Sequence, residues 1–133
     1  MNLEEIEGIG PVYAEKLRVA GLTTTDHLLG QAGRPEGRAS LADQSGISES
    51  LILEWVNHAD LCRIDGVGSE YADLLEAAGV DSVLELAQRN AANLHTKLAA
   101  VNDEKSLVRR VPSETEVEGW IAQAAGLDRA VHH

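Results

Sequence analysis

Apolar side chains recur along this chain three and four residues apart, and no stretch sustains the two-residue alternation of a strand. Leu51, Ile52, Trp55, Val56 and Ala59 mark one helix face, and Val117, Trp120, Ile121 and Ala124 mark another. Tyr13 and Leu17, like Tyr71 and Leu75, stand four apart on a stripe, and Gly21 or Gly79 follows where a helix is expected to stop in a left-handed residue. Helix starts have their own signature: Thr23 to Asp26, Ser82 to Glu85 and Ser113 to Glu116 all have capping-box spacing. The pattern predicts an all-α fold.

That pattern is written twice. IEGIGPVYAEKLRVAGL from Ile6 matches IDGVGSEYADLLEAAGV from Ile64 at an offset of 58, and SESLILEWVNHA from Ser48 matches SETEVEGWIAQA from Ser113 at an offset of 65. The change of offset places about seven extra residues in the second copy, between 86 and 113. The expectation is two tandem copies, 1–60 and 61–129, with about 10 short helices packed as one compact domain. Trp55 and Trp120, with Tyr13 and Tyr71, are expected to be equivalent structural anchors on the buried stripe rather than the walls of a binding slot.

Within each copy, Ile6 to Gly10 and Ile64 to Gly68 share the form h-x-G-h-G, which suits a helix, a sharp turn and a second, closely approaching helix. Pro11 fits the first turn of the outgoing helix, where its missing N–H is not needed. Weaker counterparts, Ser45-Gly46-Ile47-Ser48 and Arg110-Val111-Pro112-Ser113, lead into the tryptophan-bearing helices. These segments resemble the helix-hairpin-helix motif, in paired form and present twice. The whole chain resembles an uncharacterised bacterial family of tandem helix-hairpin-helix proteins, described only as a domain of unknown function. That resemblance rests on IEGIGPVYAEKL, SLILEWVNHADL, IDGVGSEYADLLEAAGVDSVLELAQRN, NLHTKLAAVNDEKSLVRRVPS and EVEGWIAQA, and carries no established activity. The motif itself implies contact with nucleic-acid phosphates without sequence reading. The hairpin amides of Gly8, Ile9, Gly10, Gly66, Val67 and Gly68 are then the candidate anion nests.

Charge changes that picture. The net formal charge is −11, with nine acids against four bases in residues 1–59 and thirteen against seven in residues 60–133. Such a chain repels polyanions at long range, and Pro112 removes one amide donor from the last hairpin. Residues 86–110 run the other way. There Lys97, Lys105, Arg109 and Arg110 form a candidate basic face, with Lys105 and Arg109 expected to share one side of a helix. Since non-specific nucleic-acid affinity comes mainly from Lys and Arg displacing counterions, the balance favours a protein partner, with DNA or RNA backbone binding as the alternative.

Nothing in the sequence builds a catalytic site. Gly8-x-Gly10 is followed by Tyr13 where a dinucleotide fingerprint needs its third glycine, and no strand precedes it. His27, His58 and His95 lack metal-motif spacing, and Cys62 reads as a small buried apolar residue. No catalytic residue, cofactor or metal is expected, and His132 and His133 carry no role in this reading. Aromatic residues make up only 3% of the chain, so Leu, Ile, Val and Ala must fill the core. No apolar run approaches the roughly 20 residues of a membrane span and no signal segment opens the sequence, which predicts a soluble, cytoplasmic binding or scaffold module.

Overall fold

In the computed structural model, which describes residues 1–133, every regular element is helical, and β-type pairing is confined to one bridge between Asn2 and Thr24. A one-turn 3-10 helix at Leu3–Glu5 precedes eight α-helices: α1 Pro11–Val19, α2 Thr25–Ala32, α3 Pro35–Ser45, α4 Glu49–Leu61, α5 Ser69–Ala77, α6 Val83–Ala87, α7 Ala91–Lys105 and α8 Glu114–Ala125. The count falls short of ten because no separate helix precedes the turn at Ile64–Gly68: α4 continues to Leu61 and only a turn separates it from Ile64. No helix is long and apolar enough to cross a membrane.

The chain forms two compact units rather than one. The first comprises Met1–Asp60 together with Ala130–His133, and the second Leu61–Arg129. Each has its own apolar cluster. Leu3, Ile6, Ile9, Leu17, Leu22, Leu28, Trp55 and Val131 belong to the first; Ile64, Val67, Leu74, Leu75, Val80, Leu98, Val117 and Trp120 belong to the second.

Shared local chemistry ends α1 and α5. Gly21 and Gly79 take φ +90 and +91, and each donates to a carbonyl three residues back, Arg18 and Glu76 respectively. Leu22 and Val80 then donate to Leu17 and Leu75 over 2.9 Å in each unit, which completes the Schellman closure. All four of these apolar residues are buried, so the stop signal also seals the core.

Helix starts follow side-chain caps. Ser113 accepts from the Glu116 amide while Glu116 accepts from the Ser113 amide, a full capping box. Ser82 accepts from the Glu85 amide, but the Glu85 carboxylate turns to Asp81. In the first copy the cap is Thr24, accepting from His27, not Thr23 with Asp26. At the 58-residue offset it is Thr24 that falls on Ser82, so the repeat predicts this cap better than spacing alone.

The seven extra residues of the second copy resolve into parts. α6 is three residues shorter than α2 and the link after it one longer; α7 is four longer than α3 and the link into α8 five longer. Gly46, at φ +74, ends α3 almost at the start of α4, whereas Ser106, at φ 51, ends α7 seven residues before Ser113.

The first unit also holds residues that lie far ahead in sequence. Val131 is buried in its core, His132 donates its amide to the Gly33 carbonyl over 2.7 Å, and the Arg38 guanidinium donates to the His132 carbonyl over the same distance. His132 therefore has a structural part that its sequence position does not announce.

Candidate functional site

The turns at Ile6–Gly10 and Ile64–Gly68 are built the same way. Ile9 donates to the Ile6 carbonyl and Val67 to the Ile64 carbonyl, over 3.1 and 3.0 Å, closing a turn around Gly8 (φ +96) and Gly66 (φ +93). A side chain at either glycine is strained by this backbone. A Cβ on Gly66 would also stand 3.2 Å from Trp120 Nε1, and one on Gly8 3.6 Å from Trp55 Nε1. The four apolar hairpin residues point inward: Ile6, Ile9, Ile64 and Val67 are all buried. The nest candidates Ile9 and Val67 thus offer a ligand only backbone.

Gly10 and Gly68 behave differently from their partners. They are the N-cap residues of α1 and α5, at φ −84 and −91, and a Cβ on either meets nothing within 4 Å. Neither conformation nor internal packing demands glycine there. Both helix starts are open to approach from outside.

The aromatic anchors lie behind these tips. Tyr13 meets Trp55 edge-on at 5.2 Å between ring centroids, and Tyr71 meets Trp120 at 5.3 Å, with both indoles almost wholly buried. In the second unit the Trp120 helix grips the turn further. Gln123 accepts from the Asp65 amide over 2.9 Å and donates to the Asp65 carbonyl over 3.2 Å.

The longer α7–α8 link converts the second tip into a groove. Asn102, in the last turn of α7, donates to the Val108 carbonyl and accepts from its amide over 3.1 and 2.9 Å. Tyr71 donates its hydroxyl to the Arg110 carbonyl over 2.9 Å. Held at these points, the link lies against the hairpin. Between them is an open groove of about 450 Å³ lined by Gly66, Gly68, Ser69, Glu70, Tyr71, Val108, Arg109 and Arg110.

The four basic candidates do not form one face. Because α7 stops at Lys105 and Ser106 turns left-handed, Lys105 and Arg109 share no helix side. Lys97 Nζ stands by Gly79 at the C-terminal end of α5, where Arg89 also donates to the Gly79 carbonyl. Arg109 and Arg110 lie at the opposite end of α5, in the groove. Arg110 is engaged by Glu116 through two bonds of 2.7 and 3.0 Å. That guanidinium, with the Ser113 amide, holds the Glu116 carboxyl down at about 2 and raises the Arg110 value in turn. Arg109 is exposed and faces the groove without such a partner.

Sequence reasoning missed Asn102 and Val108, which shape the groove, and Arg38, which is 5% exposed and donates to three main-chain carbonyls. An Asn near a helix end or an Arg inside a short helix carries no distinguishing pattern. His58 is buried in the last turn of α4, His27 accepts from the Thr23 amide at the start of α2, and His95 is half-buried on α7. Cys62 is half-buried, packed against the second core rather than sunk within it.

No curated protein and no solved structure matches the chain. A family model does, across residues 7–127, and therefore across Gly8–Gly10, Gly66–Gly68, both Tyr–Trp pairs and the groove. The chain belongs to the family described as Domain of unknown function (DUF4332).

Proposed function

We propose that the chain is a non-catalytic tandem helix-hairpin-helix module that docks a protein partner, in an interaction or scaffolding role, with the second hairpin groove as its contact surface. The observation that carries this reading is how the cations of that groove are used. Arg110 is already neutralised by Glu116, Lys97 lies at the other end of α5, and Glu70 lines the same groove as Arg109. A polyanion backbone would meet one uncommitted guanidinium there, set in a chain of net charge −11. Counterion release from a single contact gives little affinity at physiological salt. A protein segment asks for less charge. The Tyr71 ring, Val108 and two glycines offer an apolar floor with accessible backbone, and Arg109 supplies a point of orientation.

Affinity capture from native lysate, with the parent chain and Arg109→Glu in parallel, tests the assignment. The expected result is a defined partner recovered by the parent and lost with the variant, while duplex DNA and single-stranded RNA show no gel shift at moderate salt. A salt-sensitive shift of nucleic acid that disappears with Arg109→Glu would replace this reading by backbone binding.

A further inference from the structure

Residues 130–133 sit on the first unit as a ligand sits on a receptor. Their main chain is read at two points, by the Gly33 carbonyl accepting from His132 and by Arg38 donating to the His132 carbonyl. One side chain, Val131, enters the core. The seat is shaped for a passing backbone: a Cβ on Gly33 would collide with the Ala130 carbonyl oxygen. It is also preorganised. Arg38 donates to the Ala32 and Gly33 carbonyls over 3.0 and 3.1 Å, which fixes the guanidinium at the end of α2 independently of the segment it grips. A buried, oriented guanidinium with a donor turned to a main-chain carbonyl has the chemistry that peptide recognition uses.

Beside the segment is an open groove of about 290 Å³ lined by Pro35, Arg38, Glu49, Ser50, Leu53 and His133. The preceding residues, Leu127, Asp128 and Arg129, are exposed and lie outside any helix. Of residues 130–133 only Val131 is buried. Such an element opens locally at lower cost than the unit unfolds.

We infer that this seat is a peptide-binding site, occupied in cis by residues 130–133. In trans it takes an extended segment of a partner protein with the same chemistry: a free backbone amide and carbonyl opposite Gly33 and Arg38, a valine-sized side chain between them, and a further residue over Leu53 and Glu49. The site lies in the first unit and does not depend on the assignment of the second-unit groove. Its occupancy by the chain's own segment makes binding conditional on release of that segment, so apparent affinity is reduced by the fraction of molecules in which it is docked.

The test uses the full chain carrying Val131→Asp, which evicts the segment by placing a charge where the core expects a methyl pair. Nitrogen-15 spectra of this variant are titrated with a synthetic peptide of residues 128–133, and with the same peptide carrying Val131→Asp as control. Saturable shifts at the Gly33 and Arg38 amides with the first peptide, at least tenfold weaker with the control and with the parent chain as receptor, are expected. A folded variant that ignores the peptide overturns the inference, as does equal response of parent and variant. Concentration-dependent dimers of the variant with shifts at the same amides would make a second copy the occupant and overturn the partner assignment. Hydrogen exchange of the parent needs no variant: the His132 amide is expected to exchange at least tenfold faster than Leu28 and Ile52. Exchange at the same rate would show the segment to be inseparable from the unit and end the argument.

Discussion

Replacing the two glycines of one hairpin separately should give opposite outcomes. Gly66 has φ +93, so an L side chain there costs about 1–2 kcal/mol from backbone sterics alone. Its Cβ would stand 3.2 Å from the Trp120 indole, tighter than ordinary contact, and the indole is buried and braced by Tyr71. Displacing it adds roughly 1 kcal/mol. Gly66→Ala should therefore lose about 2–3 kcal/mol, which for a unit of this size lowers the melting temperature by about 10–20 °C. Gly68→Ala adds a methyl to open space at φ −91. The small loss from a poorer N-cap is offset by the reduced freedom of the unfolded chain, for a net change within about 0.5 kcal/mol. Thermal melts followed by circular dichroism and indole fluorescence decide the matter. If Gly68→Ala falls as far as Gly66→Ala, or if Gly66→Ala melts with the parent, the assignment of turn and anchor roles is refuted.

Three other outcomes follow from the same contacts. Asn102→Ala strips both hydrogen bonds from Val108 and should destabilise the second unit by about 1–3 kcal/mol, with faster hydrogen exchange at the Val108 amide; unchanged exchange would show that the link is held otherwise. The Glu116 carboxyl, depressed from the ordinary value of 4.5 to about 2, makes a stabilising contribution that is complete above pH 4.5 and lost as pH falls through about 2; carbon-13 titration should place its midpoint there, and Arg110→Ala should return it most of the way to 4.5, whereas an unmoved midpoint would remove Arg110 as the cause. Arg38→Met removes a donor from three carbonyls, of which Gly33's keeps the His132 amide, and should cost about 3 kcal/mol by chemical denaturation, with Arg38→Lys recovering only part because one ammonium cannot replace a planar fork; full recovery by lysine would reduce Arg38 to a simple charge.

Local chemistry was legible in the sequence, and long-range closure was not. Gly8, Gly21, Gly66 and Gly79 each sit at a junction because only glycine accepts the backbone there, and that constraint is visible in a string of letters. Ser113 with Glu116 is likewise complete within four residues. The expected basic helix face failed at Ser106, a non-glycine residue in the left-handed region. Gly46 announces the end of α3, but nothing about a serine announces the end of α7. The groove depends on Asn102 folding back on Val108 and on Tyr71 reaching 39 residues ahead to Arg110, which no periodicity encodes. The Arg38 clamp spans 94 residues, and its partner is a main-chain carbonyl that any residue would supply. The expected single compact domain gave way to two units because each buries its own apolar set, the first completed by Val131.

The duplicated glycine turn gives this protein an internal control. The turn, the glycine and the indole behind it are the same in both units, while the residues displayed at the helix start differ: Pro11 and Val12 in one, Ser69 and Glu70 in the other. Exchanging those pairs moves the displayed chemistry from one scaffold to its twin while each keeps its own turn, glycine and indole. Whatever recognises one tip can be asked to find it at the other address.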